Sequence, residues 1–484
     1  LSTSAKERLV SLPNILWICT DQQRYDTVHA LGNEHIRTPN LDRLIAEGVA
    51  FTRTYTQSPI CTPSRACFLT GRYPSTIHVN RNGNAFFPDS VPLITRTLAD
   101  IGYDCGLVGK LHLSAANGRV EVRPDDGYRV FKWSHHPQPE AFWPTEQHGY
   151  QAWLHECGVD WDEAYGAQAV SGWTRQTSYR PGIAAQYHQT TWCANEAINH
   201  MLEDRQGPWL MSVNPFDPHP PLDPPPEYLE RMDVDHMPLP LFQAEELQSQ
   251  LAFAGIDHQT ESPLSPVDYD ARHMVAAYYA QIELIDDQVG RMLDTLEASG
   301  QRENTIVIFT SDHGEMLGDH GLVLKGCRFY EGAVHVPLII SWPGHWRQGL
   351  CSEALVELAD VMPTLLEAVG LPVPANVHGM SLRPILSGEA DPNVHHDFVR
   401  GEYHDALDRP YASHANMMFD GQHKLVVYHG QAIGELYDLQ DDPYEFSNLW
   451  SEPSAEPLKH ELIKRLFDAV MVTTDEGQPR VGRY

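Results

Sequence analysis

Two short apolar runs, Asn14–Thr20 and Asn304–Thr310, lie far apart in the chain, and each ends abruptly in polar side chains. The first reads N-I-L-W-I-C-T and runs into Asp21-Gln22. The second reads N-T-I-V-I-F-T and runs into Ser311-Asp312-His313-Gly314-Glu315. A strand that is apolar on both faces is buried on both faces, so such runs belong inside a parallel sheet covered by helices. Tyr103–Val108, Trp209–Val213 and Leu338–Ser341 read the same way. Helices are predicted between them. Asn40–Gly48 has an Asn cap, Leu41, Leu44 and Ile45 on one face, and a Gly stop. Val91–Ile101 and Leu358–Val369 (despite Pro363) follow the same logic. Val267–Ser299 is the clearest, with Val275, Tyr278, Ile282, Ile285, Val289, Met292 and Leu296 spaced by three or four. This alternation predicts an α/β sandwich.

Beyond about residue 390 the texture changes. Met417–Phe419 and Lys424–Tyr428 flank an Asp420-Gly421 turn, a hairpin pattern. Leu436–Leu439 and a closing helix at 457–471 follow. Two domains are expected, 1–390 and a smaller α+β domain at 391–484. Residues 120–182 lack any sustained period and are expected to form long loops with short helices, as a lid or pocket wall. Trp133, His135, His136, Trp143, Trp153 and Trp173 there are candidates for an aromatic lining. The Pro-rich stretch 218–266 is expected to cover the site or an oligomer contact.

Ligands of an open α/β sheet bind beyond the carboxyl ends of its strands. Those ends carry Asp21 and Gln22, Lys110 and His112, His219, and Asp312 and His313; Lys325 adds a further cation. Between them lies Ser58-Pro-Ile-Cys61-Thr-Pro-Ser-Arg65-Ala-Cys-Phe-Leu-Thr70-Gly71-Arg72. Read bare, it is a Cys in a Pro-bounded turn entering a short helix, with Pro63 in the first turn and Gly71 as stop. Free N–H groups at a helix start favour anionic chemistry.

Charge sets a condition on that chemistry. With 34 Lys+Arg against 65 Asp+Glu the net charge is −31, which argues against nucleic acid or an anionic membrane as partner. An anionic substrate would need a local cluster of the few cations. The eight cysteines are scattered with no C-x-x-C pair, a reduced pattern that points to the cytoplasm. A signal peptide removed before residue 1 would make the location periplasmic or secreted. No apolar run approaches the length of a membrane span.

Cys61-Thr-Pro-Ser-Arg65 with Thr70-Gly71 resembles the signature of the formylglycine-dependent sulfatases of the alkaline phosphatase superfamily. Asp21, Gly109-Lys110-Leu-His112, Pro218-His219, Ser311–Glu315, Gly379–Pro384 and Leu436–Leu449 extend the resemblance over nearly the whole chain. It implies an alkaline-phosphatase-like α/β/α sandwich with a large mixed sheet, plus a smaller domain with an antiparallel sheet. It also implies a sulfatase, acting on a small-molecule sulfate ester such as an aryl sulfate, with promiscuous phosphodiesterase activity. Cys61 would be oxidised to formylglycine by a maturation enzyme, and the hydrated aldehyde would be the nucleophile. Asp21, Gln22, Asp312, His313 and the formylglycine would hold one divalent ion. Most sulfatases have a second Asp and an Asn where Gln22 and His313 stand here; calcium is the first choice and manganese the second. The resemblance further assigns Arg65 and Lys110 to hold the diol and His112 to help it collapse. His219 and Lys325 would contact the sulfate. A homo-oligomer, dimer or tetramer, is expected.

Gln22, His313, the Asp-His-Gly-Glu run and Asn82, which lies 21 residues after Cys61, also resemble the phosphonate monoester and phosphodiester hydrolases. That branch carries Tyr and Thr at the positions of Lys110 and His112. A third reading is a metal-binding protein of the same fold that is never matured. Conversion of Cys61 lowers the mass by about 18 Da, so intact mass separates it from the others.

Overall fold

The computed structural model describes residues 12–116, 119–135, 147–160, 179–180, 182–409, 412–474 and 482. The apolar runs form the centre of an eight-stranded mixed sheet. In chain order its strands are β1 (Asn14–Thr20), β2 (Val49–Tyr55), β3 (Asp104–Gly109), β4 (Val130–Trp133), β5 (Trp209–Asn214), β6 (Thr305–Ser311), β7 (Leu338–Ser341) and β8 (Leu350–Glu357). They lie in the order β4-β3-β5-β1-β6-β7-β2-β8, and only β7 runs antiparallel to its neighbours. Alternate residues of β1 serve opposite layers, as the two-residue period of a strand requires. Ile15 and Trp17 pack with Phe68, Leu69, Ile94, Leu98, Val361 and Leu365. Leu16 and Ile18 pack on the other side with Leu41, Leu44, Trp192, Ile285, Val289 and Leu296.

The helices α1 (Pro39–Ala46), α2 (Cys61–Thr70), α3 (Ile94–Asp100), α4 (Gln189–Leu202), α5 (Ala271–Ala298) and α6 (Val361–Ala368) flank this sheet, and α7 (Glu456–Val472) packs elsewhere, near the end of the chain. The predicted 267–299 helix starts four residues later than expected, at Ala271, capped by the Asp270 side chain. The 120–182 stretch holds a strand that its sequence did not announce, β4, together with a helix at Gly149–Glu156. His136, Trp143 and Trp173 lie outside the described residues.

A second, antiparallel sheet of four strands, β9 (Val399–His404), β10 (His414–Phe419), β11 (His423–Tyr428) and β12 (Gly434–Asp438), is ordered β12-β11-β10-β9. One of its faces carries Met418, Leu425 and Leu436 against Leu462 and Leu466 of α7. The other packs Met417, Phe419, Val426 and Tyr428 on Met316, Leu322, Cys327 and Phe329 of the loop between β6 and β7. Polar anchors reinforce this seam. Lys424 Nζ donates to Phe329 O at 3.0 Å and Glu331 Oε1 at 2.7 Å, and Arg328 pairs with Glu435, all buried or nearly so. Among the described residues no helix is long and apolar enough to cross a membrane.

Behind β8, two imidazoles converge on one carboxylate. His396 Nε2 lies 2.9 and 3.0 Å from the Asp360 oxygens, and His395 Nε2 3.3 Å from one of them. Burial would lower the His396 pKa, but the Asp360 carboxylate overrides it and raises it from 6.5 to about 9. Folding therefore binds a proton between those values. The stabilisation is fully present below pH 6.5 and is lost as pH rises through about 9. We expect the gap in thermal midpoint between wild type and His396→Asn, measured by calorimetry, to be widest near pH 6 and to close by pH 10.

Candidate active site

Register brings the polar strand ends to one edge. β1 pairs in parallel with both β5 and β6, matching Ile18 to Val213 and Thr20 to Ser311, so Asp21, Asp217 and Asp312 emerge side by side. The Asp21 N–H bonds Asp217 O at 3.1 Å and the Asp312 N–H bonds Thr20 O at 3.3 Å. β3 joins through Gly109 opposite Asn214. Gly109 has φ +99°, and a Cβ there would sit 2.0 Å from the Asn214 carbonyl oxygen. Only glycine lets the chain pass so close, and the Lys110 N–H then reaches Asn214 O at 2.9 Å. Helix α2 carries Cys61 at its first residue and ends as predicted at Gly71, φ +65°, whose N–H returns to Cys67 O.

Asp21, Cys61, Asp312 and His313 are all buried, and each offers a ligand atom within 4.8 Å of the others. Cys61 Sγ lies 3.1 Å from His313 Nε2, 3.1 Å from Lys325 Nζ and 3.7 Å from Asp21 Oδ1. Around this core the cations are fixed one by one. The Lys110 ammonium pairs with Asp21. Arg65 Nε donates to Asp312 Oδ2 at 2.8 Å and Nη1 to Lys110 O at 3.0 Å. Lys325 Nζ also donates to Gln22 Oε1 at 2.5 Å. Arg65 Nη2, although buried, has no partner among the described residues. Three buried cations thus surround two carboxylates, which answers how so acidic a chain can receive an anion.

These charges set the protonation pattern. Burial alone would push the Cys61 thiol up, yet the Lys110 and Lys325 ammoniums hold it well below its usual value. The same burial would raise Asp21, and Lys110, His219 and Lys325 keep it well below the usual carboxylate range. Burial and the neighbouring Lys110 lower His112, whose ring reaches Cys61 and whose Nδ1 has no partner among the described residues. Burial and Lys325 lower His219 to about 3. His219 Nδ1 donates to Pro220 O at 2.6 Å.

The donor set fits a divalent cation. The carbonyl of Gly314 can only accept, so His313 Nδ1, 2.9 Å away, carries the proton and Nε2 turns its lone pair toward Cys61 and the two aspartates. Gln22 adds a carbonyl oxygen. Two carboxylates, one amide oxygen and one imidazole are donors that a divalent ion can take. Asn82 stands at the rim of this cluster, its Oδ1 accepting the Thr62 N–H at 3.0 Å.

Two residues near the cluster, Glu121 and Phe216, gave no functional signal in the sequence, and a third, Glu315, was marked only as the end of the Asp-His-Gly-Glu run. Glu121 gathers the N–H groups of His112, Leu113 and Ser114 and the Trp133 indole. It holds His112 at φ +56°. Phe216 lies under the Lys110 ammonium, 5.3 Å from its ring centroid. Glu315 accepts from Gln22 Nε2.

The family described as Sulfatase matches residues 13–371, and the one described as N-sulphoglucosamine sulphohydrolase, C-terminal, matches 318–471. An arylsulfatase of Clostridium perfringens is 30% identical over 460 residues, covering 90% of each chain. A multifunctional alkaline phosphatase superfamily protein, PehA, of Trinickia caryophylli is 32% identical over 498 residues, covering 91% of this chain and 92% of that one. The crystal structure of the phosphonate monoester hydrolase of Agrobacterium radiobacter superposes with a TM-score of 0.80 at 27% identity, covering 96% of both chains.

Proposed function

Because this chain belongs to the sulfatase family, and so to the hydrolases of sulfuric ester bonds, we propose that it cleaves small sulfate monoesters, aryl sulfates first, with phosphodiesters as secondary substrates. The observation that carries the choice of sulfate is the pair of basic residues at Cys61: Lys110, bound to Asp21, and His112, whose ring reaches the sulfur. Cys61 Sγ marks the place of the aldehyde oxygens after maturation to formylglycine. With a divalent ion held by Asp21, Gln22, Asp312 and His313, that group supplies an oxygen nucleophile and a positive charge beside it.

The chain's own residues do the rest. Arg65, pinned by Asp312, keeps Nη2 free to hold an oxygen at position 61. Lys325, 3.1 Å from that position, brings charge to the sulfate and to the leaving oxygen. His219, neutral at physiological pH with its one ring proton committed to Pro220 O, offers the site only an accepting Nε2. His112, also kept neutral by burial and Lys110, accepts the proton whose loss releases sulfate. A maturation enzyme acting on Cys61-Thr-Pro-Ser-Arg65 is the partner this reading requires, and a mass about 18 Da low is its signature.

A second reading, phosphonate monoester or phosphodiester hydrolysis, draws on Gln22, His313 and Asn82, whose carbonyl oxygen is tied to Thr62 so that its NH2 is left as a donor. Lys110→Tyr/His112→Thr tests between them. We expect sulfatase kcat/KM to fall at least about a hundredfold, the scale of one acid–base group, and phosphodiesterase activity to fall less. Both activities are measured under one metal condition. A ratio that stays put, or moves toward sulfate, removes the case for sulfate.

A further inference from the structure

An amide is an ambiguous ligand. One end is a carbonyl oxygen with lone pairs, the other an NH2 that repels a cation, and a half-turn of the last side-chain bond exchanges them. We propose that Glu315 is a positioning residue that locks the Gln22 amide with its carbonyl oxygen toward the ion site. The proposal rests on the reading of Gln22 as an ion ligand.

Gln22 Nε2 donates to Glu315 Oε2, while Gln22 Oε1 accepts from Lys325 Nζ at 2.5 Å. Turned over, the amide would set its oxygen against the carboxylate and its NH2 against the ammonium. Two attractive contacts would become two repulsive ones in a buried site, where such contacts are strong. The backbone of Gln22 is equally constrained. It sits at φ +71°, its N–H donates to Asp312 Oδ1 at 3.0 Å, and its carbonyl accepts the Tyr278 hydroxyl at 2.6 Å. Only the amide's sense is left to choose.

Glu315 is 2% exposed, and its other oxygen is taken up by the chain itself. Glu315 Oε1 accepts the N–H groups of Leu317, at 3.0 Å, and Leu324. Both leucines adopt left-handed backbone, φ +48° and +65°, which costs energy for a residue with a branched side chain. The loop thus bends around the carboxylate, and Lys325 follows at once. One buried carboxylate therefore orients the amide directly and fixes the start of the lysine that confirms it.

The test is a swap, on the full chain, of which partner carries the carboxylate. In Glu315→Gln the new oxygen can still serve Leu317 and Leu324, but an NH2 then faces the Gln22 NH2, and the Gln22 amide turns over. In Gln22→Glu two carboxylates face each other. In Gln22→Glu/Glu315→Gln donor and acceptor match again, and position 22 presents an oxygen whichever way it lies. Each variant is dialysed against buffered calcium or manganese; bound metal per chain and its release to a chelator are measured, with circular dichroism as the control for folding. We expect each single variant to bind about 10- to 100-fold more weakly, the usual scale for a residue behind a ligand. The double variant should recover most of that loss. A double variant no better than Glu315→Gln overturns the proposal and leaves Glu315 as a loop support. If Glu315→Gln does not fold, recovery of the double over Gln22→Glu decides the matter. Unchanged binding in Gln22→Ala would instead remove the ligand reading on which the proposal rests.

Discussion

Cys61→Ala will yield a folded protein with less than about a thousandth of wild-type turnover, since losing a covalent nucleophile costs at least that much. The fold should survive because the substitution falls at the first residue of α2, where Ala is a good helix former. The neighbours also keep partners of their own: Lys110 with Asp21, Arg65 with Asp312, and Lys325 with Gln22. Cys61→Ser makes the sharper comparison. One hydroxyl at that position can take a sulfuryl group but has no second oxygen to expel it, so release must wait for water. The serine variant should give at most a single stoichiometric burst of product and then stall. Steady turnover by either variant, measured on protein whose mass confirms the substitution, would falsify the aldehyde nucleophile.

The second large effect is expected at Asp312, where metal, stability and catalysis meet. Its carboxylate accepts Arg65 Nε at 2.8 Å and the N–H groups of Gln22 and His313 at 3.0 and 2.9 Å. Asp312→Ala strips all three donors of their acceptor and leaves Arg65 buried with its charge uncompensated. Breaking a buried pair from one side costs about 3–5 kcal/mol. Asp312→Asn keeps an oxygen for the two backbone N–H groups and should lose less stability. Both should lose the ion, and activity with it, because neither a methyl group nor an amide brings the negative charge. Denaturant midpoints, bound metal and turnover, measured together, check the ordering. Wild-type metal content in Asp312→Ala would remove this residue from the ion site.

How much of this was legible in the sequence follows from where each signal resides. β1 and β6 stood out because a strand buried on both faces is written in uninterrupted apolar residues, and their abrupt polar ends marked the site edge. β2 and β8 did not. Thr52 and Arg53 are only half-buried, and β8 lies at the sheet edge with Glu353 exposed, so neither reads as a clean run. Helix α4 begins Gln-Thr-Thr-Trp, in which the two threonines and the tryptophan are weaker helix formers held in place by tertiary packing and by the His188 cap. The residues that meet at the sheet edge were readable because each follows a strand or sits in a dense local pattern. Glu121 was not, and the Asp-His-Gly-Glu run marked Glu315 without showing what it holds. Both gather backbone N–H groups that the folded loop delivers, and the residue type alone carries no mark of that.

The seam between the two sheets bears on how the enzyme ages and fails. The small sheet supplies no member of the ion cluster, yet the loop that carries Lys325 is bolted to it three residues later, at Arg328, and again through Phe329 and Glu331. Local opening of a protein proceeds in cooperative units, and these contacts would make β9 to β12 and the lysine loop open together. Heat, a protease or a damaging substitution in the last quarter of the chain would therefore silence catalysis while the central sheet still stood, its buried nucleophile chemically intact. Reclosing the seam would restore activity without any new chemistry. Inactivation by that route would be reversible, unlike chemical damage at position 61, and the two would be told apart by whether cooling brings the activity back.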